Sequence, residues 1–329
     1  MTGAAMVQKC LVWDQLFPVT EACGRFHDHA ALLARMAAAG VNAVSLTMAY
    51  DPEDTMAAVR RIVAWRNLID GDPARFRLIR QADDVLEARA AGQLAIGLHL
   101  QGSTPFATDP GLVPLFYDLG IRAAILVYNK TSAVGGGAHE APDPGLSEYG
   151  RALVASMHRS AMMVDCSHTG ERTARDALAL GSGPIFYTHA NARAVDDHPR
   201  NIPDDLAQEI VASGGMVGVC GVSLFLGGPE RMVERLFAHI DHWCGLLGAE
   251  HVGLGLDIVS DMEATKAALA REAAKWPADA GYQAGDLACV DPEDLPALVD
   301  RMLAAGYGED TISGILGQNW LAAARRVWR

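Results

Sequence analysis

The sequence predicts an α/β protein with the (β/α)8 barrel fold, also called a TIM barrel. Short apolar segments of strand-like composition alternate with helix-like segments along the chain. The strand-like segments are rich in Val, Ile and Leu, a pattern typical of parallel sheets that are covered on both faces. No GxGxxG motif follows the first of them, which argues against the nucleotide-binding form of the open doubly wound sheet.

The alternation gives eight predicted strands, each followed by a helix, and two or three further helices close the chain. Strands are predicted at 10–13, 41–48, 94–100, 121–127, 162–165, 185–188, 216–220 and 252–256, with a short extended piece at 76–79. Helices are predicted at 29–39, 52–68, 82–91, 111–119, 147–160, 169–180, 204–212 and 230–247. Gly40 and Gly92 directly follow two of these helices, where a glycine commonly ends a helix. The Gly-rich stretch 133–138 lacks the Lys-Ser/Thr of a phosphate loop and is interpreted as a flexible loop.

The length and composition predict a single (β/α)8 barrel domain over 1–329, with the C-terminal helices packed on it. The chain has 329 residues, half of them hydrophobic, and a formal charge of -13. This acidic balance argues against nucleic acid and against an anionic membrane surface as partners. No apolar run approaches the roughly 20 residues that span a bilayer. The six cysteines show no CxxC spacing, so a reducing cytoplasmic location is expected.

Two histidines stand at matched places behind neighbouring strands. His168 follows the strand at 162–165, and His189 follows the strand at 185–188. The carboxyl ends of barrel strands meet at one face, where the chemistry of such barrels takes place. Either histidine alone fits an ordinary hydrogen-bonded loop residue. The pair favours a metal site, because neutral imidazole is a common ligand of zinc.

Other predicted strand ends carry polar side chains, and each of these has a structural interpretation as an alternative to a functional one. His99 and Gln101 are two residues apart on a strand, so they point the same way, but His99 fits a packed, hydrogen-bonded histidine equally well. Asp257 ends the apolar run VGLGLD, where a carboxylate needs a cation or hydrogen-bond donors. Arg200 either binds a ligand or pairs with a nearby aspartate at 196, 204 or 205. His27 and His29 resemble a metal pair, but the interpretation favoured is a solvated loop.

Several long segments resemble the membrane (renal) dipeptidase family of zinc hydrolases, within the amidohydrolase superfamily. They are FYDLGIRAAILVYN, GLSEYGRALVASMHRSAMMVDCSHTG, PIFYTHANARAVDDHPRNIPDD, VGLGLD and LGQNWL. The resemblance implies a barrel of the metal-dependent hydrolase type that binds two zinc ions and hydrolyses dipeptides, often as a homodimer.

The resemblance also implies roles for individual residues. His168 and His189 match the two histidines that hold the second metal, and Arg200, in HPRN, matches the arginine that binds the substrate carboxylate. Its neighbour Asn201 is assigned to substrate binding with it. Asp257 matches the eighth-strand aspartate near the substrate amine and the attacking water.

The chain departs from the family pattern at the other half of the metal site. The family's first strand carries aspartate-glycine-histidine-x-aspartate, whereas this chain reads DQLFP, with Leu16 and Pro18 in place of the two ligands. The bridging glutamate is Gln101 here, and Tyr128 stands where many members have a histidine that polarises the scissile carbonyl. Leu and Pro cannot bind a metal, and two dications without the two lost carboxylates are electrostatically implausible.

The sequence therefore predicts a hydrolase of a dipeptide or small amide with one zinc ion. Its ligands would be His168, His189 and either His99 or Gln101, with a water as the fourth. Asp257 would act as general base, and the oxyanion would be stabilised by Tyr128. Two alternatives stay open: a catalytically inactive relative that binds a small carboxylate ligand, and a metal-free acid/base enzyme.

Overall fold

The computed structural model describes residues 1–283 and 285–328. Nine strands lie in these ranges: β1 (Trp13–Phe17), β2 (Ala43–Tyr50), β3 (Phe76–Leu78), β4 (Leu94–Gln101), β5 (Ile121–Ile125), β6 (Met163–Asp165), β7 (Ile185–Phe186), β8 (Val217–Val219) and β9 (Val252–Leu254).

The described α-helices alternate with these strands and continue beyond them. They are α1 (Gly3–Lys9), α2 (Phe26–Ala38), α3 (Thr55–Gly71), α4 (Asp84–Ala90), α5 (Leu112–Asp118), α6 (Glu148–Arg159), α7 (Glu171–Leu178), α8 (Asp204–Ala212), α9 (Ser223–Leu226), α10 (Met232–Leu247), α11 (Met262–Arg271), α12 (Leu295–Ala304), α13 (Glu309–Ser313) and α14 (Asn319–Val327). None of them is long and apolar enough to cross a membrane.

The chain divides into two compact units. The first comprises Met1–Val44, His189–Asp204 and Val217–Trp320, and the second comprises Ser45–Thr188, Asp205–Met216 and Leu321–Arg329. In the first unit, β9 pairs in parallel with both β1 and β8. In the second unit, β4, β5, β6 and β7 form consecutive parallel pairs, and β3 adds in parallel to β4.

The strand order identifies the fold class. Eight strands follow one another as β7-β6-β5-β4-β2-β1-β9-β8, with β3 beside this path. The two ends of the path are also hydrogen-bonded: the Tyr187 N–H donates to the Met216 carbonyl at 3.1 Å, and the Ala190 N–H donates to the Gly218 carbonyl at 2.8 Å. Parallel strands in this order, alternating with helices, are the (β/α)8 arrangement, and the predicted fold class is confirmed.

The first strand differs from its prediction. The polar residues Asp14 and Gln15 argued for a strand that ends at Trp13, yet β1 begins there and continues to Phe17. Both polar side chains are buried. The Asp14 carboxylate accepts backbone N–H groups, so a polar residue is tolerated inside a buried strand. Asp14, Gln15 and Leu16 therefore lie within the strand and not in the loop after it.

The expectation of a loop at His27 and His29 is wrong for both residues, and the expectation of solvent exposure is wrong for His29. Both lie on α2. His27 is exposed, but His29 is buried, and its Nδ1 lies 2.6 Å from the Ser260 hydroxyl. The His29 ring also meets the Phe17 ring edge to face, at 5.9 Å between centroids. His29 is a packed, hydrogen-bonded residue of the first unit, which local sequence could not indicate because its partner is 231 residues away.

Candidate functional site

The candidate residues fall into both units. The first unit carries His189, Arg200, Asn201 and Asp257, and the second unit carries His99, Gln101, Tyr128 and His168.

In the second unit, one threonine joins two candidates of β4. The Gln101 side-chain N–H donates to the Thr47 hydroxyl at 2.9 Å, and that hydroxyl lies 2.8 Å from His99 Nε2. The Thr47 oxygen therefore accepts the Gln101 amide and is also within hydrogen-bond distance of the imidazole nitrogen. Burial lowers the pKa of His99 to about 3, so the ring is neutral. The arrangement matches the hydrogen-bonded alternative for His99.

His168 is held by the loop that follows β5. Its Nδ1 lies 2.7 Å from Asn129 Oδ1, and its ring stacks on Tyr128 with centroids 4.0 Å apart and planes inclined by 22°. An amide oxygen only accepts, so Nδ1 of His168 carries a proton. Asn129 and His168 both have left-handed backbone, with φ of 62° and 64°. The sequence places Asn129 at the barrel rim, behind the strand predicted at 121–127, without indicating its contact to His168. The signal available was an asparagine behind a strand, a residue that tolerates this backbone.

The loop between β6 and His168 is fixed by a buried aspartate. Asp165 Oδ1 accepts the backbone N–H and the hydroxyl of Ser167, each at 2.8 Å, and the backbone N–H of Thr188 at 3.1 Å. The Thr188 hydroxyl donates to the other carboxylate oxygen. Burial raises the pKa of Asp165 while these donors oppose the shift. The carboxylate therefore has a structural use, which is to set the turn that delivers His168.

In the first unit, Asp257 is held against β1. Its backbone N–H donates to the Leu16 carbonyl at 3.2 Å, and the preceding Leu256 N–H donates to Asp14 Oδ1 at 2.7 Å. Asp257 itself has left-handed backbone, with φ of 57°. Such backbone is uncommon for a residue with a side chain and is often found at functional sites, where the surroundings hold it in place.

Both carboxylates of this cluster titrate far above their ordinary range. Burial raises the pKa of Asp14 to about 7, although the N–H groups of Leu16 and Leu256 act against the shift. Burial also raises the pKa of Asp257 to about 6, and the positive charge of Arg200 limits that rise. The Asp257 side chain can therefore both accept and donate a proton near neutral pH.

Arg200 is a buried cation with few partners. Its side chain is 2% exposed, Nη2 donates to the His189 carbonyl at 3.3 Å, and the guanidinium carbon lies 5.2 Å from the centre of the Phe225 ring. Its Nε has no hydrogen-bond partner among the residues that the structure describes. The alternative of a pair with a nearby aspartate is not observed within 4.0 Å among those residues. Asp204 instead pairs with His242, and Asp205 with Arg175.

Asn201, which follows the arginine in the chain, is fully buried. Its amide nitrogen donates to the carbonyls of Asp196 at 2.9 Å and Phe225 at 3.0 Å. Its Oδ1 has no partner within the described part of the chain. The amide nitrogen therefore shapes the loop, and a substrate contact would have to use the oxygen.

The donor set does not fit the two zinc ions that the resemblance implies. In residues 1–283 and 285–328, no three His, Cys, Asp or Glu side chains are grouped so that they could hold a metal ion. Leu16 and Pro18 offer no ligand atoms, and the Gln101 amide nitrogen is bonded to Thr47. The absence of such a group among the described residues also gives no support to a single zinc ion on His99, His168 and His189. A zinc ion with Gln101 as its third ligand stays a prediction.

Comparison with known proteins places these residues in a family. The model of the membrane dipeptidase family, peptidase family M19, matches residues 28–267. The chain is 28% identical over 290 residues to an uncharacterized protein in the pqqA 5′ region of Klebsiella pneumoniae, covering 85% of this chain and 98% of that protein. It is 30% identical over 294 residues to an uncharacterized dipeptidase of Schizosaccharomyces pombe, covering 86% of this chain and 63% of that protein. The chain thus spans slightly under two thirds of the fission-yeast relative.

Solved structures agree with the fold. An amidohydrolase from Pseudomonas aeruginosa superimposes with a TM-score of 0.87 at 26% identity, over 100% of this chain and 99% of that one. A metallopeptidase from Rhodobacter sphaeroides, solved with a phosphinate mimic of the dipeptide L-Ala-D-Ala, gives a TM-score of 0.80 at 24% identity, over 97% and 99% of the two chains.

Proposed function

This chain belongs to the membrane dipeptidase family, peptidase family M19, and from that membership we propose that it is a dipeptidase-like hydrolase of a dipeptide or related small amide. The family comprises metal-dependent hydrolases, and this proposal gives the chain their general reaction. The substrate class rests on one feature, the buried arginine of the HPRN segment, to which the sequence resemblance assigns the substrate carboxylate.

Arg200 carries the proposal. Burying a charge is costly unless it is paired, and this guanidinium has no carboxylate within 4.0 Å among the described residues, while its Nε lacks an acceptor. Arginine matches a carboxylate in shape and charge, so the terminal carboxylate of a dipeptide supplies what the site lacks. An N-acyl amino acid has the same carboxylate and falls in the same substrate class.

Asp257 supplies the proton chemistry in this proposal. With a pKa near 6 it is mostly ionised at neutral pH and accepts a proton from the attacking water. The water oxygen then bonds to the scissile carbonyl carbon, the C–N bond breaks, and the aspartate returns the proton to the leaving amine. The sequence-based roles of Tyr128, as donor to the developing oxyanion, and of Asn201, in substrate binding, stay predictions.

The proposed hydrolysis uses no metal ion. The sequence-based prediction was one zinc ion on His168, His189 and either His99 or Gln101, and the donor set described above does not fit a site of three His, Cys, Asp or Glu ligands. Leu16 and Pro18 stand where the family has two metal ligands, and their presence favours a second candidate function. In that case the protein binds the same carboxylate ligand without cleaving it.

One experiment separates these functions. A panel of dipeptides, their C-terminal amides and N-acetyl amino acids is tested for binding by calorimetry and for cleavage by mass spectrometry, alongside the metal content of the dialysed protein. Cleavage of free-carboxylate compounds, with weaker binding of the amides, is the expected result. Binding without cleavage selects the second candidate. If the carboxylates bind no better than the amides, both are wrong.

A further inference from the structure

One histidine near Arg200 joins two separate segments of the first unit. His198 Nδ1 accepts the backbone N–H of Arg200 at 3.1 Å, and His198 Nε2 lies 2.9 Å from the Ala280 carbonyl. The side chain is buried at 7% exposure. Each ring nitrogen therefore faces a different part of the chain: one the loop that carries the arginine, the other a segment 82 residues further on.

The two contacts determine the state of the ring. A nitrogen that accepts a backbone N–H carries the lone pair, and a nitrogen that faces a carbonyl carries the proton, so the ring is neutral with its proton on Nε2. Burial lowers the pKa of His198 to about 4, and the charges of Arg200 and Arg193 act in the same direction. Both ring nitrogens are thus used in complementary ways by the neutral form.

Aromatic packing fixes the plane of this ring. The centroid of His198 lies 5.0 Å from that of Phe225 and 6.1 Å from that of Tyr282, and the latter two rings are 6.1 Å apart. Phe225 also lies under the Arg200 guanidinium, at 5.2 Å. The three rings therefore form one cluster, which contacts the Arg200 guanidinium through Phe225.

The far partner belongs to a segment folded on α11. We call residues 276–283 the clasp segment. Within it, the Gln283 side chain donates to the carbonyls of Trp276 at 2.7 Å and of Leu269, in α11, at 3.3 Å. Trp276 and Tyr282 are buried. The bond from His198 to Ala280 attaches this segment to the loop that carries Arg200.

We propose that His198 is a positioning residue that, through its two ring nitrogens, holds the backbone of Arg200 and the clasp segment in one fixed arrangement. The ring acts on a ligand only through Arg200, so its effect on affinity rests on the proposed function. Its effect on the two backbone segments does not.

Two substitutions separate the two contacts. In His198→Asn the amide oxygen takes the place of Nδ1 and the contact to Ala280 is lost, whereas in His198→Gln the amide nitrogen takes the place of Nε2 and the contact to Arg200 is lost. Both variants lose the ring, so the loss of packing against Phe225 is common to them. Any difference between the two variants reports the hydrogen bonds.

Amide hydrogen exchange, followed by NMR, is the direct measurement. His198→Gln is expected to speed exchange at Arg200 about fivefold or more relative to His198→Asn, since a net hydrogen bond contributes about 1 kcal/mol. His198→Asn is expected to speed exchange in the clasp segment by a similar factor relative to His198→Gln. Equal exchange in the two variants at both places would overturn the proposal.

Ligand binding then tests the link to function. The probes are the dipeptide Ala-Ala and its C-terminal amide. His198→Gln is expected to weaken the preference for the carboxylate about fivefold, and His198→Asn to retain more of it. If Arg200→Gln abolishes the preference while both His198 variants keep it unchanged, this inference fails and the proposed function stands. If the wild-type protein shows no preference, the proposed function fails for this probe, and the exchange data still decide the role of His198.

The chain offers a matched control in its second unit. His158 Nδ1 lies 2.7 Å from the Ser182 hydroxyl and its Nε2 lies 3.1 Å from the Pro184 carbonyl, so both of its ring nitrogens are also bonded. His158→Asn and His158→Gln are expected to leave exchange at Arg200 and in the clasp segment unchanged. Equal effects from the two histidines would mean that general destabilisation, and not positioning, explains the result.

Discussion

Asp14 Oδ1 accepts the backbone N–H of Leu256 at 2.7 Å, which fixes the residue immediately before Asp257 on the first strand. The same oxygen accepts the Leu16 N–H at 3.2 Å, and the other oxygen, Oδ2, is buried without a hydrogen-bond partner among the residues that the structure describes. A carboxyl group in this position is half satisfied, and burial raises its pKa to about 7. Asp14, an acid with a pKa near 7, is therefore bonded to the backbone next to Asp257, whose own backbone is left-handed.

The first prediction concerns stability against pH. The pKa of Asp14 rises from 3.8 in the unfolded chain to about 7 in the folded one, so the folded state binds its proton more tightly. That contribution is fully present below about pH 4 and is lost as the pH rises towards 7, by linkage roughly 4 kcal/mol in all. Urea denaturation from pH 4 to pH 8 is expected to show this decline.

Asp14→Asn is the matched variant for this test. Its amide oxygen still accepts the Leu16 and Leu256 N–H groups, but it has no proton to lose in this range. The decline in the free energy of unfolding between pH 4 and pH 7 should therefore be shallower than in the wild-type protein. The same slope in both would show that the ionisation of Asp14 is not coupled to folding.

The second prediction concerns Arg200. Arg200→Gln removes the buried charge but keeps a polar side chain, and charged hydrogen bonds contribute about 1.5–3 kcal/mol. Affinity for a dipeptide is expected to fall about 10- to 100-fold by calorimetry, while the affinity for its C-terminal amide changes little. Arg75→Gln, at an exposed arginine paired with Asp72, is the control and should leave both affinities unchanged.

The third prediction concerns the tautomer of His168. Asn129→Gly removes the acceptor for Nδ1–H without straining the left-handed backbone, whereas Asn129→Asp keeps an acceptor there. The ¹⁵N chemical shifts of the His168 ring should show one dominant tautomer in the wild-type protein and in Asn129→Asp, and a mixture in Asn129→Gly. A single unchanged tautomer in Asn129→Gly would mean that Asn129 does not orient the ring.

The fourth prediction concerns metal content. Because Leu16, Pro18 and Gln101 replace family ligands, the purified protein is expected to retain fewer than two zinc ions per chain after dialysis, measured by elemental mass spectrometry. The triple variant Leu16→His, Pro18→Asp, Gln101→Glu restores those ligand types and should retain more zinc than the wild-type protein. Two tightly bound zinc ions in the wild-type protein would contradict the ligand assignment.

The sequence by itself was sufficient for the fold class and for the motifs. Alternating apolar strands and helices are local patterns, and each is written in a few consecutive residues, so eight strands and their order of appearance could be predicted. The HPRN segment and the histidines at 168 and 189 were likewise visible as motifs, as was the replacement of two ligands by Leu16 and Pro18.

The tertiary structure decided what each of these groups contacts. Thr47 lies 52 residues before His99, Asn129 lies 39 before His168, and Ala280 lies 82 after His198, so no local pattern reveals these pairs. The extent of β1 was also a tertiary matter, because one of the two N–H groups that Asp14 accepts inside the buried strand comes from a residue 242 positions away. Strand and helix patterns are set by neighbours in sequence, whereas burial, tautomers and pKa values are set by neighbours in space.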